Sequence, residues 1–343
     1  MIEGNPTCGV DVHCGDTFLE RLTFIFEPAW YSYNRKIFDN TAKTYATDYV
    51  LGVFMVYGAC SVAVSCPPSR LRRLTIALLL LYALSVFSGG AAHQFFVTLE
   101  DVNSFQFQLL WSVCVGAVTT AGYFIGAIGK ELAVAGPHVK LPTVPQAMAC
   151  TTPFCIALGM LTGGLIGIAS PSCGRVCVYA SFVAGAIIGL VIGAGTAAVA
   201  PRTCVQAVLA FPSSIWAIFV AILGVMTVSG ALSMARPAAD IFVAGFAQGF
   251  PTLALAGCWT LHVKDSHTFN LSTLDRVLLI FAMLLAAPLI IIYPVFLSYL
   301  PQLSLGFVNA FLHCWLTVAW GLQWWMLQRY CQAYRGFSSV KGE

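Results

Sequence analysis

The stretch from Leu74 to Val97 constrains the possible folds of this chain more than any other. It is an apolar run that carries one histidine, His93, just after the pair Gly89 and Gly90. About twenty apolar residues cross the hydrocarbon of a bilayer as a helix, and small residues let a neighbouring helix come close. An ionisable side chain in such a segment usually faces the bundle interior or a cavity. His93 is therefore either a buried imidazole hydrogen-bonded across a helix interface or part of a functional site.

The composition extends this conclusion to the whole chain. Of 343 residues, 59% are hydrophobic and 9% are charged, whereas soluble domains carry about 25% charged residues. The sequence therefore predicts a polytopic membrane protein with lipids as partners, and it leaves room for unidentified partner proteins in a membrane assembly. The net charge of +3 is small and the basic residues are scattered, so no nucleic-acid partner is expected.

The predicted fold is all-α, a transmembrane helix bundle of about nine spans, with seven as the lower bound. Residues 1–47 form a polar N-terminal region with an interfacial helix over 18–33, residues 48–328 the bundle, and residues 329–343 a tail. Short connecting loops favour one compact bundle. The expected spans lie near residues 49–66, 74–97, 106–129, 150–169, 176–199, 207–233, 239–262, 275–299 and 304–328.

The lysines and arginines predict an orientation, because positive charge is retained in cytoplasmic loops. With nine spans, eleven of the seventeen basic residues fall on one side and six on the other. The N-terminus is then outside or lumenal, and the C-terminus is cytoplasmic.

The cysteines agree with this orientation. Cys8 and Cys14 are close enough in sequence for a small disulfide loop, which forms in an oxidising compartment. Free thiols are the alternative for this pair. Six isolated cysteines in or beside the spans are expected to act as small hydrophobes: Cys60, Cys114, Cys155, Cys177, Cys258 and Cys314.

Glycines and prolines interrupt the later spans. Glycine recurs every four residues in the fourth and fifth spans, which predicts tight packing of these two helices: Gly159, Gly163, Gly167, Gly185, Gly189 and Gly193. Pro251, Pro288 and Pro294 break later spans. Broken helices can bind ions through freed carbonyl groups, although proline is also common in ordinary membrane helices.

A few polar side chains share one depth near the outer face. Asp48, His93, Asn309 and His313 fall within about 15 Å of depth of one another. Two histidines and a carboxylate are a sensible catalytic zinc set, so His93, His313 and Asp48 are candidate metal ligands, with Asn309 and Ser88 as side chains that orient them. Bound zinc activates water and polarises a carbonyl group, which is the chemistry of amide or ester hydrolysis.

Two sequence segments, SGGAAHQFF and FVNAFLHCWLTVAWG, resemble the alkaline ceramidase and progestin/adipoQ receptor superfamily of membrane hydrolases. The resemblance implies zinc bound through histidines, with His93 as the early histidine and His313 as the second of the final pair. The chain departs from the family pattern at two positions. Gly89 stands where the motif has serine, with Ser88 one residue too far, and Asn309 stands where the motif has another histidine.

Two classes of function follow from the sequence. The first is a transporter or a packing subunit of a membrane assembly, which has no chemistry of its own. The second is an intramembrane zinc-dependent hydrolase of a lipid amide or ester. The spans contain no lysine, which excludes a retinal Schiff base, and the chain has no phosphate-binding glycine loop and no Gly-x-Ser-x-Gly or His-Glu-x-x-His motif.

Overall fold

A computed structural model describes most of the apolar part of the chain. The described residues are 40–96, 104–134, 143–169, 175–210, 248, 252, 271–286, 288–289 and 305–334. The interfacial helix, Cys8, Cys14, Pro251 and Pro294 lie outside them, and so do Cys258 and most of the sixth and seventh predicted spans.

The described residues form eight helices and contain no strand, in agreement with the all-α prediction. Among them, α1, α2 and residues 105–132 of α3 are long and apolar enough to cross a membrane, which is the mark of an integral membrane protein. The count of nine spans stays a prediction. The helices are α1 Ala42–Ser65, α2 Arg70–Phe95, α3 Phe105–Val134, α4 Val144–Ala169, α5 Arg175–Val199, α6 Pro201–Ala210, α7 Thr273–Leu284 and α8 Leu305–Ala333.

Helices α1, α2, α3, α7 and α8 pack as an up-and-down bundle around one apolar core. A short connection that includes Pro67 and Pro68 reverses the chain between α1 and α2, and the Ser69 side chain caps α2 by accepting a hydrogen bond from the Arg72 amide. Helix α8 runs parallel to α1, since Thr47 contacts His313 and Ser61 contacts Gln328.

The bundle therefore has two distinct ends. The site end contains the start of α1, the end of α2 and the start of α8, and with them Asp48, His93 and His313. The base end contains the start of α2, the end of α3 and the end of α8. Helix α7 begins at the base end, where Asp275 lies 2.9 Å from Arg329.

Charged side chains tie the helices together at the base end. Arg70 of α2 lies 3.5 Å from Glu131 of α3, and the Tyr334 hydroxyl donates to the same carboxylate at 2.9 Å. Burial and the neighbouring Glu131 raise the pKa of Tyr334 to about 12. Because the phenol stays protonated at physiological pH, it remains a donor that holds the end of α8 against α3.

The span expected over residues 275–299 is interrupted before Pro288, since α7 ends at Leu284. Proline has no backbone N–H and cannot continue the helical ladder. Side chains of α8 bond to backbone carbonyls at this broken end. Trp315 donates to the carbonyl of Leu285 at 2.8 Å, and Gln323 donates to that of Ala282 at 3.2 Å.

Helices α4 and α5 pack against each other along their glycines, as predicted. A Cβ atom added at Gly163 would collide with the backbone carbonyl of Ser181, and one at Gly189 with that of Cys155. The two backbones are in direct contact along this seam, and α6 packs against both helices.

We expect Gly163→Leu and Gly189→Leu to lower the stability of the fold by about 1 to 3 kcal/mol or more, because a side chain has no room between the two backbones. Thermal unfolding in detergent measures this loss. Gly195→Leu is the matched control on α5, since a Cβ at Gly195 meets nothing within 4 Å. Equal melting of all three variants and the parent would contradict the packing.

Candidate functional site

A carboxylate and an imidazole from opposite ends of the sequence meet at the site end of the bundle. Asp48 lies near the start of α1 and His313 lies near the start of α8, and both are buried. The distance from His313 Nε2 to Asp48 Oδ1 is 3.1 Å. The parallel packing of α1 and α8 creates this contact, which we call the Asp48–His313 pair.

The second ring nitrogen of His313 is held by Thr47. His313 Nδ1 lies 2.8 Å from Thr47 Oγ1, which is also 2.7 Å from the Lys43 carbonyl and 2.8 Å from the Thr44 carbonyl. The hydroxyl has one hydrogen, and we assign it to a helix carbonyl because these groups can only accept. Thr47 then accepts from His313 Nδ1, which is therefore protonated.

This assignment limits the protonation states of the Asp48–His313 pair. With a proton on Nδ1, the contact between Nε2 and Asp48 holds a second proton, on the carboxyl group or on the ring. Either arrangement is neutral overall, and loss of that proton leaves the pair with one negative charge.

The Gly89 and Gly90 pair brings α2 over this carboxylate. A Cβ at Gly90 would lie 3.0 Å from Asp48 Cβ and 3.1 Å from the Tyr49 ring, whereas one at Gly89 would lie 3.2 Å from Cys114 Sγ and 3.9 Å from an Asp48 oxygen. The close approach at Gly90 leaves little space for a side chain. The small residues therefore let the α2 backbone cover Asp48.

His93 is buried one helical turn after Gly89, and its ring packs edge-on against Trp111 of α3 with ring centroids 5.7 Å apart. Asn309 and Ser88, the predicted orienting side chains, are also buried. The structure thus brings His313 and Asp48 into direct contact and sets His93 against α3.

The predicted zinc site requires a third ligand beside the Asp48–His313 pair. Within the part of the chain that the structure describes, no group of three or more His, Cys, Asp or Glu side chains is arranged to hold a metal ion. Zinc bound by His93, His313 and Asp48 stays a prediction.

The sequence did not identify Thr47 as a residue of the candidate site. It directly precedes Asp48, and the start of α1 carries threonine at a spacing of three residues, at Thr41, Thr44 and Thr47. This spacing repeats one helical face at the N-terminal end of a span. That pattern could have indicated a polar face beside the carboxylate.

One cysteine interpretation was wrong. Cys60, Cys114, Cys155 and Cys314 are free thiols, as expected, but Cys177 near the start of α5 is disulfide-bonded. The apolar sequence around Cys177 suggested a small hydrophobe, whereas its position at a helix end leaves it able to reach another cysteine.

Comparison with protein-family models, with curated proteins and with solved structures found no match to this chain. The resemblance to the alkaline ceramidase and progestin/adipoQ receptor superfamily remains a prediction from two sequence segments. Inference about function therefore depends on the site itself.

We expect His313→Leu to destabilise the protein by about 3 to 5 kcal/mol, because it leaves a buried carboxylate without its imidazole partner. The double variant Asp48→Leu with His313→Leu should recover much of that loss, since it removes the buried charge as well. Chemical unfolding in detergent measures both effects. Cys314→Ser at the next, exposed position is the control, and additive losses in the double variant would contradict a direct interaction.

Proposed function

We propose that this chain is a membrane transporter in which the Asp48–His313 pair is the coupling site that takes up and releases a proton. The observation that carries the proposal is the 3.1 Å contact between a buried carboxylate and a buried imidazole at one end of an apolar helix bundle. Ionisable residues inside membrane segments are costly, and they mark proton relays and ion pathways in pumps and transporters.

The geometry fits proton exchange for two reasons. The pair is neutral with its shared proton and negative without it, so its charge changes by one on a single event. At a buried position that change strongly alters the free energy of the surrounding helices. A conformational change of the bundle can thereby be linked to the presence of the proton.

Two other functions make different predictions. In a packing subunit of a membrane assembly, the Asp48–His313 pair only holds α1 to α8, and its loss affects stability without affecting any flux. In a zinc-dependent lipid amidase or esterase, His93 is the third ligand. Metal analysis of the detergent-purified protein would find stoichiometric zinc only in the hydrolase.

An exterior or lumenal site end is part of the proposal. Basic residues gather at the base end, which favours a cytoplasmic position for that end: Arg70, Arg72, Arg73, Lys130, Arg276 and Arg329. The disulfide at Cys177, after an expected crossing by α4, fits an oxidising environment at the opposite end.

The described helices support termini on opposite sides. Helix α1 begins at the site end and α8 ends at the base end, so the described part of the chain starts and finishes at opposite ends of the bundle.

Protease protection in sealed vesicles tests this orientation. We expect an epitope before Cys8 to be cleaved from the exterior or lumenal side, and one after Lys341 from the cytoplasmic side. Cleavage of both epitopes from the same side would contradict the proposed orientation.

Proteoliposomes that enclose a pH-sensitive dye test the transport function. Amino acids, organic acids, amines, sugars and inorganic ions are added one class at a time while internal pH is recorded. We expect one class to change internal pH, and Asp48→Asn and His313→Gln to slow that change at least tenfold, because neither variant retains the complete proton-binding pair. Cys314→Ser is the control and should match the parent.

Two outcomes would count against the proposal. Folded Asp48→Asn protein with parental flux would remove the pair from the mechanism. Absence of any solute-linked pH change in the parent, together with lowered stability of Asp48→Asn, would favour the packing subunit.

A further inference from the structure

Trp320 of α8 has a buried polar atom for which the protein supplies no partner in the described helices. Its side chain is 2% exposed, and the buried indole Nε1 has no hydrogen-bond partner there. A buried N–H without an acceptor costs free energy because its interaction with water is lost on folding. Such groups in folded proteins are usually bound to ordered water.

Two other tryptophans on α8 show the ordinary arrangement. The Trp315 indole donates to the Leu285 carbonyl at 2.8 Å, and the Trp324 indole donates to Gln328 Oε1 at 2.7 Å. Trp320 lies between them in sequence. The missing acceptor for the indole N–H is therefore specific to Trp320 and is not a general property of α8.

The surroundings of Trp320 supply polar atoms at the same depth. The ring of Tyr82 stacks on Trp320 with centroids 3.9 Å apart and planes 1° from parallel. The Tyr82 hydroxyl donates to Gln323 Oε1 at 3.1 Å, which leaves its oxygen able to accept a bond. Gln323 in turn donates one amide hydrogen to the Ala282 carbonyl at 3.2 Å and retains a second.

We propose that the bundle binds an ordered water molecule at this depth, which accepts the Trp320 indole hydrogen and donates to the Tyr82 oxygen. Both groups belong to one ring stack, and two hydrogen bonds of about 2.9 Å through one water can span them. Water fits better than an ion, because the polar side chains that the described contacts place here are neutral: Tyr82, Trp320 and Gln323.

The proposed water lies along the same faces of α2 and α8 as the candidate site. Trp320 follows His313 by seven residues, and Tyr82 precedes Gly89 by seven. Two helical turns, about 10 Å, therefore separate the water from the Asp48–His313 pair on the same faces of α2 and α8. Further toward the base end, Thr75 Oγ1 lies 3.5 Å from Cys331 Sγ. On the proposed transport function, this water is one step of a polar path between the two helices.

Nuclear magnetic resonance of the full chain in lipid nanodiscs, with ¹⁵N in the indole groups, tests the proposal. The probe is bulk water. We expect the Trp320 indole proton to show a cross-peak at the water frequency, and the Trp315 indole proton to show none. Trp320→Phe assigns the resonance. A Trp320 signal without a water cross-peak, and as slow to exchange in D₂O as that of Trp315, would overturn the proposal.

A second measurement uses the parent protein and needs no variant. A high-resolution density map of the parent protein should contain a peak about 2.9 Å from Trp320 Nε1, and a map that resolves ordered water elsewhere but has no such peak would also overturn the proposal. Neither result depends on solute-linked flux. If the transport experiment fails, the inference about ordered water is unaffected. If Trp320 binds no water, the proposed coupling site is unaffected.

Discussion

The hydrocarbon of a membrane offers no hydrogen bonds, so polar groups in a spanning bundle need partners within the protein. This constraint explains the polar contacts between α1, α2, α7 and α8, which add to their shared apolar core. His313 is held between Asp48 and Thr47, and Gln323 joins Tyr82 to the end of α7. Because apolar packing between helices is no stronger than packing against lipid, such polar contacts give the bundle its specific arrangement.

The same constraint explains how the broken end of helix α7 is stabilised. A helix that ends inside the bundle exposes backbone carbonyls, which cost free energy unless they are bonded. Trp315 and Gln323 both donate to carbonyls at this end, from positions eight residues apart on α8. The break at Pro288 and the polar side chains of α8 are therefore two parts of one arrangement. At these carbonyls, the donors are side chains of the protein itself.

Local sequence predicted α1 to α5 and α8, because long apolar runs and short polar connections specify such helices directly. It also predicted the glycine seam between α4 and α5, since a spacing of four residues defines one face of a helix. It did not predict the short helix α6 or the early end of α7. The partner of Asp48 was harder to predict. Asp48 and His313 were grouped by their depth and by their suitability as zinc ligands, and neither property determines which helices are neighbours. The Thr47 contact and the Trp315 and Gln323 bonds required the three-dimensional packing of α8 against α1 and α7.

The ionisable pairs at the two ends of the bundle differ in how far they are buried. At the base end, Arg70 is largely exposed beside Glu131, so water screens their attraction and it adds little to stability. At the site end, Asp48 and His313 are buried, and removal of either partner takes a close polar contact away from the other at a buried position. A change of one proton therefore has a much larger effect at the site end than at the base end. On the proposed function, that difference makes the site end the part of the bundle where proton binding alters the packing of helices.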